Sequence, residues 1–347
     1  MSRHQTLPMT VSLIIPTYNR AHMITAAIRS ALAQTRVPDE IVVVDDGSTD
    51  NTVEVLEQFA PLVRIVRQPN RGRSSARNNG IRNAKGDAVL FLDSDDMLMP
   101  RAVDACVAVL ERRPEIDVVY GDAELVDVHG NFLCKYSDRM TGERPVGNIL
   151  GELGRRCCLT MVTMVRKTAL VGVAFEEGME FGEDYDFWRQ LAARSQFAYV
   201  DEPLMRYRIH PGMTVTSNPI KTLDSELEVQ RRVHAMPEFA CLPRRVRAMA
   251  YSSHGAKQAM RDRGRLARAM FWKAIVTDPT SLTPYALLGL SLFGLRPLQY
   301  AILKRRKMMG DNIAIEAGTK AIAQQRAVPA EDASDHDMAE VEEHIYG

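Results

Sequence analysis

Apolar and polar positions follow two periods in turn over the first hundred residues. Val11-Ser12-Leu13-Ile14-Ile15 is a short, mostly apolar run ending at Pro16, which suits a buried parallel strand. Met23, Ile24, Ala27, Ile28, Ala31 and Leu32 then recur at helical spacing. Ile41-Val42-Val43-Val44 is a second strand, and Asp45-Asp46-Gly47-Ser48-Thr49-Asp50 follows it. A helix is predicted next, with Asp50 or Asn51 as its cap and Glu54 in its first turn. Val63-Arg64-Ile65-Val66 predicts a third strand, Ser74 to Ala84 a helix closed by Gly86, and Ala88 to Leu92 a fourth strand. That strand stops at Asp93-Ser94-Asp95-Asp96. The alternation predicts an α/β fold, an open, mostly parallel sheet flanked by helices with right-handed crossovers.

Ligands in such sheets bind beyond the carboxyl ends of the strands. Thr17-Tyr18-Asn19, Asp45-Asp46 and Asp93 to Asp96 each directly follow a predicted strand, so three strand ends aim polar groups at one crevice. Further on, a helix over Ala102 to Arg112, a strand over Val118 to Tyr120 and a hairpin-like turn around His129-Gly130-Asn131 are predicted. The pattern turns all-helical from about 220, after a linker-like boundary at Thr216-Ser217-Asn218-Pro219. Small residues at helical spacing (Ala256, Ala259, Ala267, Ala274) predict an α-hairpin packed on the first domain, with only a faint likeness to a tetratricopeptide unit. Thr280 to Leu295 is uncharged and Leu-rich, is interrupted at Arg296-Pro297 and is closed by Lys304-Arg305-Arg306-Lys307. It is too short to span a bilayer comfortably. Two readings stand: a broken apolar helix held in the interface by anionic lipid, or a buried helix of a bundle. The stretch Val328 to Gly347, acidic and almost free of bulky apolar residues, predicts disorder.

Composition narrows the class. Lys+Arg and Asp+Glu both number 44, which gives no reason to expect a nucleic-acid partner. Cys106, Cys134, Cys157, Cys158 and Cys241 include no C-x-x-C pair, and a bridge between adjacent cysteines would be strained. The expectation is reduced thiols in a cytoplasmic protein, with no signal peptide in Met1 to Thr10.

Asp93 and Asp95 at i, i+2 on a turn can place two carboxylates on one side. Hard oxygen ligands of this kind suit Mg²⁺ or Mn²⁺ bridging a diphosphate. An Asp-x-Asp triplet alone is weak evidence, because a solvated acidic turn gives the same pattern. Its position in register with two other polar strand ends is what raises it.

The motifs together are more specific. Ser12-Leu13-Ile14-Ile15-Pro16-Thr17-Tyr18-Asn19, Ile41 to Thr52, Ala76-Arg77-Asn78-Asn79-Gly80-Ile81, Gly86 and Phe91-Leu92-Asp93-Ser94-Asp95-Asp96 resemble family 2 glycosyltransferases in order and spacing. Gly182-Glu183-Asp184-Tyr185-Asp186-Phe187-Trp188 and Tyr207-Arg208-Ile209-His210 resemble the family's later motifs. The resemblance implies a GT-A fold and an inverting, metal-dependent, single-displacement transfer from a nucleotide sugar, commonly UDP-linked, to an acceptor hydroxyl in polysaccharide or glycoconjugate synthesis. It also implies a catalytic domain over 10–215, with a donor-binding half at 10–100 and an acceptor-side half at 101–215. A helical region over 220–310 and a disordered tail over 325–347 follow. If the acceptor is lipid-linked, peripheral contact with the inner face of the cell membrane through 280–310 fits.

Roles carry over position by position. Pro16, Thr17, Tyr18 and Asn19 would line the nucleotide pocket, and Asp46, or else Asp45, would accept a hydrogen bond from the base. Strand-to-helix turn chemistry explains that pair equally simply. Arg73 or Arg77 would approach the donor phosphates, or else be solvated helix charges. Asp95 would be the principal metal ligand, with Asp93 on ribose or on the metal through water and Ser94 beside the donor. His210 would ligate the metal or touch the diphosphate, unless it is simply a packed histidine. Asp184, with Glu183 as the alternative, would be the base that takes the acceptor proton, although carboxylates are also favoured at a helix start. Trp188 would pack in the core rather than stack on sugar. Two other readings compete: a non-catalytic nucleotide-sugar binding module, and a sugar-phosphate nucleotidyltransferase. The nucleotidyltransferase would want a Gly-rich loop where Pro16-Thr17-Tyr18-Asn19-Arg20 stands.

Overall fold

Val11–Thr17 (β1), Glu40–Asp45 (β2), Arg64–Arg67 (β3) and Ala88–Phe91 (β4) form the parallel half of one sheet, in the order β3-β2-β1-β4. The computed structural model describes residues 8–139, 144–210 and 218–308. The predicted boundary at Thr216-Ser217 and the acidic tail lie outside the described residues.

The rest of the sheet departs from the mostly parallel expectation. Met97–Leu98 (β5), Val118–Val126 (β6), Phe132–Lys135 (β7), Thr163–Arg166 (β8) and Phe197–Arg208 (β9) extend it in the order β4-β8-β6-β9-β5, with β7 paired to β6. Here only β6 and β9 pair in parallel; β4–β8, β6–β8, β6–β7 and β5–β9 are antiparallel. The cause is local. β6 and β7 join by the predicted hairpin at His129-Gly130, and among the described residues between β7 and β8 the helices are only the four-residue Tyr136–Arg139 and Leu150–Leu153, too short for a crossover. β6 is also longer than Val118 to Tyr120, because its register against β9 shifts around Asp122 and pairing resumes beyond.

Side chains alternate across β1 between two cores, as a strand buried on both faces requires. Val11, Leu13 and Ile15 join the layer with Ile24, Ala27 and Ile28 of the helix Ile24–Leu32 and with Val103 and Val107 of the helix Ala102–Arg112. Ile14 faces the other layer, built around Phe91, Phe175, Phe187 and Trp188. Phe175 and Phe187 stack at 3.9 Å, and Phe91 meets Phe187 edge-on at 5.7 Å. Trp188 is fully buried, as expected of a core residue.

The C-terminal helices among the described residues are Pro219–His234, Pro237–Ala240, Arg244–Met260, Gly264–Thr277, Leu282–Leu292 and Leu295–Met308. Arg244–Met260 and Gly264–Thr277 form the expected α-hairpin. Val229, Val233, Phe239 and Tyr251 belong to the same buried cluster as Trp188, so the helices continue the sheet's second core. The carbonyl of Arg155 accepts from Gln230 Nε2, from Ser253 Oγ at 3.0 Å and from Lys257 Nζ at 3.2 Å, which ties the two regions together. None of the described helices is long and apolar enough to cross a membrane.

Candidate active site at the carboxyl ends of the strands

β1, β2 and β4 end side by side, and backbone and side-chain hydrogen bonds join the loops that follow. Asn19, at φ 51°, donates its backbone N–H to Ser48 Oγ at 3.0 Å and accepts from Thr49 N at 2.8 Å. Asn has the short polar side chain that best tolerates this left-handed backbone. Gly47 has φ +77°, and a Cβ there would stand 2.8 Å from Asn70 N, so glycine alone fits the turn after β2.

Asp46 accepts from Gln68 Nε2 at 2.7 Å and Arg71 N at 2.9 Å on one oxygen and from Gly72 N at 2.8 Å on the other. Its carboxylate therefore holds the loop that launches the helix Arg73–Asn83. Asp45, also buried, accepts from Ser48 N at 3.1 Å through Oδ1. Of the expected pocket residues, Tyr18 stands 42% exposed at the rim, whereas Thr17 is buried with its hydroxyl unpartnered.

Arg77, expected either at the donor phosphates or as a solvated helix charge, points inward instead. Its guanidinium is buried, with Nη2 2.7 Å from Asp93 Oδ1 and Nη1 2.9 Å from Glu183 Oε1, and it lies over the Phe175 ring at 5.2 Å. The two carboxylates hold its proton even more firmly than usual against the opposing effect of burial. Arg73 Nε also reaches Glu183 Oε1, at 2.8 Å. Glu183 is thereby paired with two arginines.

Asp184 is the next residue, in the first turn of the helix Glu183–Ala192. The helix starts at Gly182, whose φ of +72° and contact with Ser225 Oγ leave no room for a side chain. Burial, then the charge of Glu183, push the Asp184 carboxyl up to about 6, against the pull of Arg77 and Arg73. That suits a group which must accept a proton near neutrality.

At the β4 end, Asp95 Oδ2 lies 3.2 Å from His210 Nε2, after β9, and 3.8 Å from Arg20 Nε, after β1. Arg20 carried no expected role, although its place beyond β1 was a usable signal. Asp96 is buried and accepts from Arg208 N at 2.9 Å, while its other oxygen has no partner. Burial and the neighbouring Asp95 and Asp93 charges raise its carboxyl well above the usual range. Ser94 is buried within the turn.

Asp95 and His210 offer an oxygen and a nitrogen at one point, a donor set that suits Mn²⁺ better than Mg²⁺, which prefers oxygen alone. Among the described residues no three His, Cys, Asp or Glu side chains converge to hold a metal unaided. Diphosphate oxygens and water would have to complete the shell, the usual arrangement for Mg²⁺ with a nucleotide.

Residues 12–154 match the model of glycosyl transferase family 2. An uncharacterized glycosyltransferase of Rickettsia typhi is 32% identical over 221 residues, which are 62% of this chain and 69% of that one. The chain belongs to glycosyltransferase family 2. A Pasteurella multocida chondroitin synthase is likewise 32% identical over 62% of this chain, but only 22% of that longer protein is covered. Among solved structures, S. aureus TarS 1–349 in complex with UDP-GlcNAc superposes with a TM-score of 0.58 at 19% identity, over 90% of this chain and 92% of that one. The mannosyltransferase PcManGT from Pyrobaculum calidifontis, in complex with GDP-Man and Mn²⁺, gives 0.55 at 18%, over 92% and 88%. At these identities the likeness is one of fold, and it covers the C-terminal helices as well as the sheet. The fold is GT-A type and the protein is a transferase.

Proposed function

We propose that this family 2 glycosyltransferase moves a sugar from a nucleotide-sugar donor, UDP-linked in the first instance, to an acceptor hydroxyl with inversion at the anomeric carbon. The observation that carries it is the placement of Asp184. A half-buried carboxyl with its pKa raised to about 6 stands one residue from Glu183, which Arg77 ties to the Asp93 turn. Asp184 takes the proton as the acceptor oxygen attacks the anomeric carbon. The bond from that carbon to the diphosphate oxygen breaks, and its electron pair leaves with the nucleotide.

Asp95 and His210 would hold the Mn²⁺ or Mg²⁺, which supplies charge neutralisation on the departing diphosphate. Thr17, Tyr18, Asn19 and Asp45 line the base and ribose side, and Arg20 rather than Arg77 is the cation available to the phosphates. Residues 10–215 would carry the chemistry and the helices over 220–310 would support it. The chondroitin synthase relative favours a glycan or glycoconjugate acceptor.

The test is nucleotide release by the purified chain from a panel of UDP- and GDP-sugars with Mn²⁺. Donor-dependent release lost in Asp184→Asn and Asp95→Ala is expected. Release that survives both substitutions would sink the mechanism, and donor binding without any turnover would favour a binding protein.

A further inference from the structure

The helix Leu282–Leu292 has one side in the protein and one side bare. Pro284 and Ser291 are buried, and Leu287, Leu288 and Leu290 pack on the small core around Phe271 and Leu298. On the other side Leu282, Tyr285, Ala286, Gly289, Leu292 and Phe293 recur at i, i+3, i+4, i+7, i+10 and i+11, a single stripe of the helix surface. Leu282 is 80% exposed, Leu292 75% and Phe293 82%. Nothing lies within 4 Å of where a side chain on Gly289 would begin. A surface helix ordinarily turns polar residues to water; this one has apolar residues on both sides. The segment is packed in a bundle on one side and presents an apolar face on the other.

The next helix, Leu295–Met308, turns Leu298 and Ile302 inward and Arg296, Tyr300 and Lys304 outward, at i, i+4 and i+8. Trp272 and Val276, one turn apart on the preceding helix, are 61% and 64% exposed.

Charge identifies the occupant. From Asp278 to Asp311 the sequence contains no acidic residue between those two, while Arg296, Lys304, Arg305, Arg306 and Lys307 are all basic. A second copy meeting this face about a two-fold axis would bring like charges together with no carboxylate to answer them. A partner that is apolar inside and negatively charged at its boundary, with an interface where exposed Trp and Tyr are favoured, answers the apolar, aromatic and basic features together. We propose that the helices Leu282–Leu292 and Leu295–Met308 dock the protein on an anionic bilayer, with the Leu282–Phe293 stripe in the acyl boundary and the exposed Arg296 and Lys304 at the headgroups. This inference does not depend on the transfer mechanism.

The experiment is co-sedimentation of the full chain with phosphatidylcholine vesicles, with and without about 30 mol% phosphatidylglycerol. The expected result is sedimentation with the anionic vesicles only, weakened by salt, with the partition coefficient of Leu292→Glu/Phe293→Glu down about tenfold or more. Both substituted positions are exposed, so the melting temperature should not move. A second variant, with Lys304, Arg305, Arg306 and Lys307 all changed to Gln, leaves the apolar stripe intact and should lose roughly fivefold per charge that meets the surface. Wild-type protein left in the supernatant with both vesicles, equal sedimentation with neutral vesicles, or equal partition of all three proteins would each overturn the proposal. So would a dimer split by the Leu292/Phe293 change without vesicle binding, or binding that requires removal of residues 311–347.

Discussion

Arg77 donates to Glu183 Oε1 at 2.9 Å across 106 positions of sequence, and the same guanidinium holds Asp93 Oδ1 at 2.7 Å. One buried cation thus fixes the acidic turn after β4 relative to the helix that carries Asp184. Removing it strands two carboxylates. Arg77→Met should destabilise by about 3 kcal/mol, at the lower end for a broken buried pair because Arg73 still reaches Glu183. Urea unfolding checks this; a midpoint unchanged from the parent would refute the bridging role.

Asp184→Asn should lower kcat by roughly 10²–10⁴-fold with little change in donor affinity. The free enzyme's kcat/KM should fall as pH drops through about 6, because protonation of Asp184 removes the base. A rate flat from neutrality to well below that value would assign the proton to another group.

The same raised pKa has a stability consequence of the opposite kind. A carboxyl whose pKa is higher folded than unfolded favours the folded state while protonated, and that advantage is lost as pH rises from the ordinary carboxyl range through about 6. Ionised Asp184 should therefore cost the fold about 3 kcal/mol at neutral pH. Asp184→Asn should be inactive yet melt higher than the parent at pH 8. A lower melting temperature there would show that the asparagine disturbs more than the charge.

Chelation with EDTA should abolish nucleotide release and Mn²⁺ should restore it. In His210→Ala the Mn²⁺ concentration needed for half-maximal rate should rise by at least about tenfold, while Asp95→Ala should stay near background, a loss of several kcal/mol of transition-state stabilisation. Unchanged Mn²⁺ dependence in His210→Ala would leave that histidine as a packing partner of Asp95 only.

Gly47→Ala tests the loop lattice. The added methyl group meets Asn70 N in a left-handed backbone, a strain of order 1–3 kcal/mol. Since Asp46 anchors residues 68–72 next to it, donor affinity should fall along with stability. Full donor affinity in a destabilised variant would separate the loop from the binding site.

β1, β2 and β4 were legible because each is a short, mostly apolar run followed by polar residues, the pattern that burial on both faces demands, and β3 because Ile65 and Val66 form a β-branched pair. The convergence of Asn19, Asp46 and Asp93 on one edge followed from the parallel order alone. The mixed half was not legible. β8, Thr163–Arg166, carries no period of its own, and its place between β4 and β6 is decided by pairing across long sequence distances. The direction of Arg77 was equally hidden, because an arginine on a helix looks the same whether its partner is a phosphate or a distant carboxylate. Only the fold brings Glu183 to it.

The shared cluster of Trp188 with Val229, Val233, Phe239 and Tyr251 bears on how this enzyme can be cut or shuffled. Ending the chain at about 217 would remove a wall of the second core and all three donors to the Arg155 carbonyl. Such a fragment would retain every candidate catalytic side chain and still be a poor folding unit, prone to aggregate through the exposed apolar surface. The catalytic sheet and the helices Pro219–His234 and Arg244–Met260 would be expected to travel together through recombination, whereas the more peripheral pair that follows could be exchanged at far lower cost.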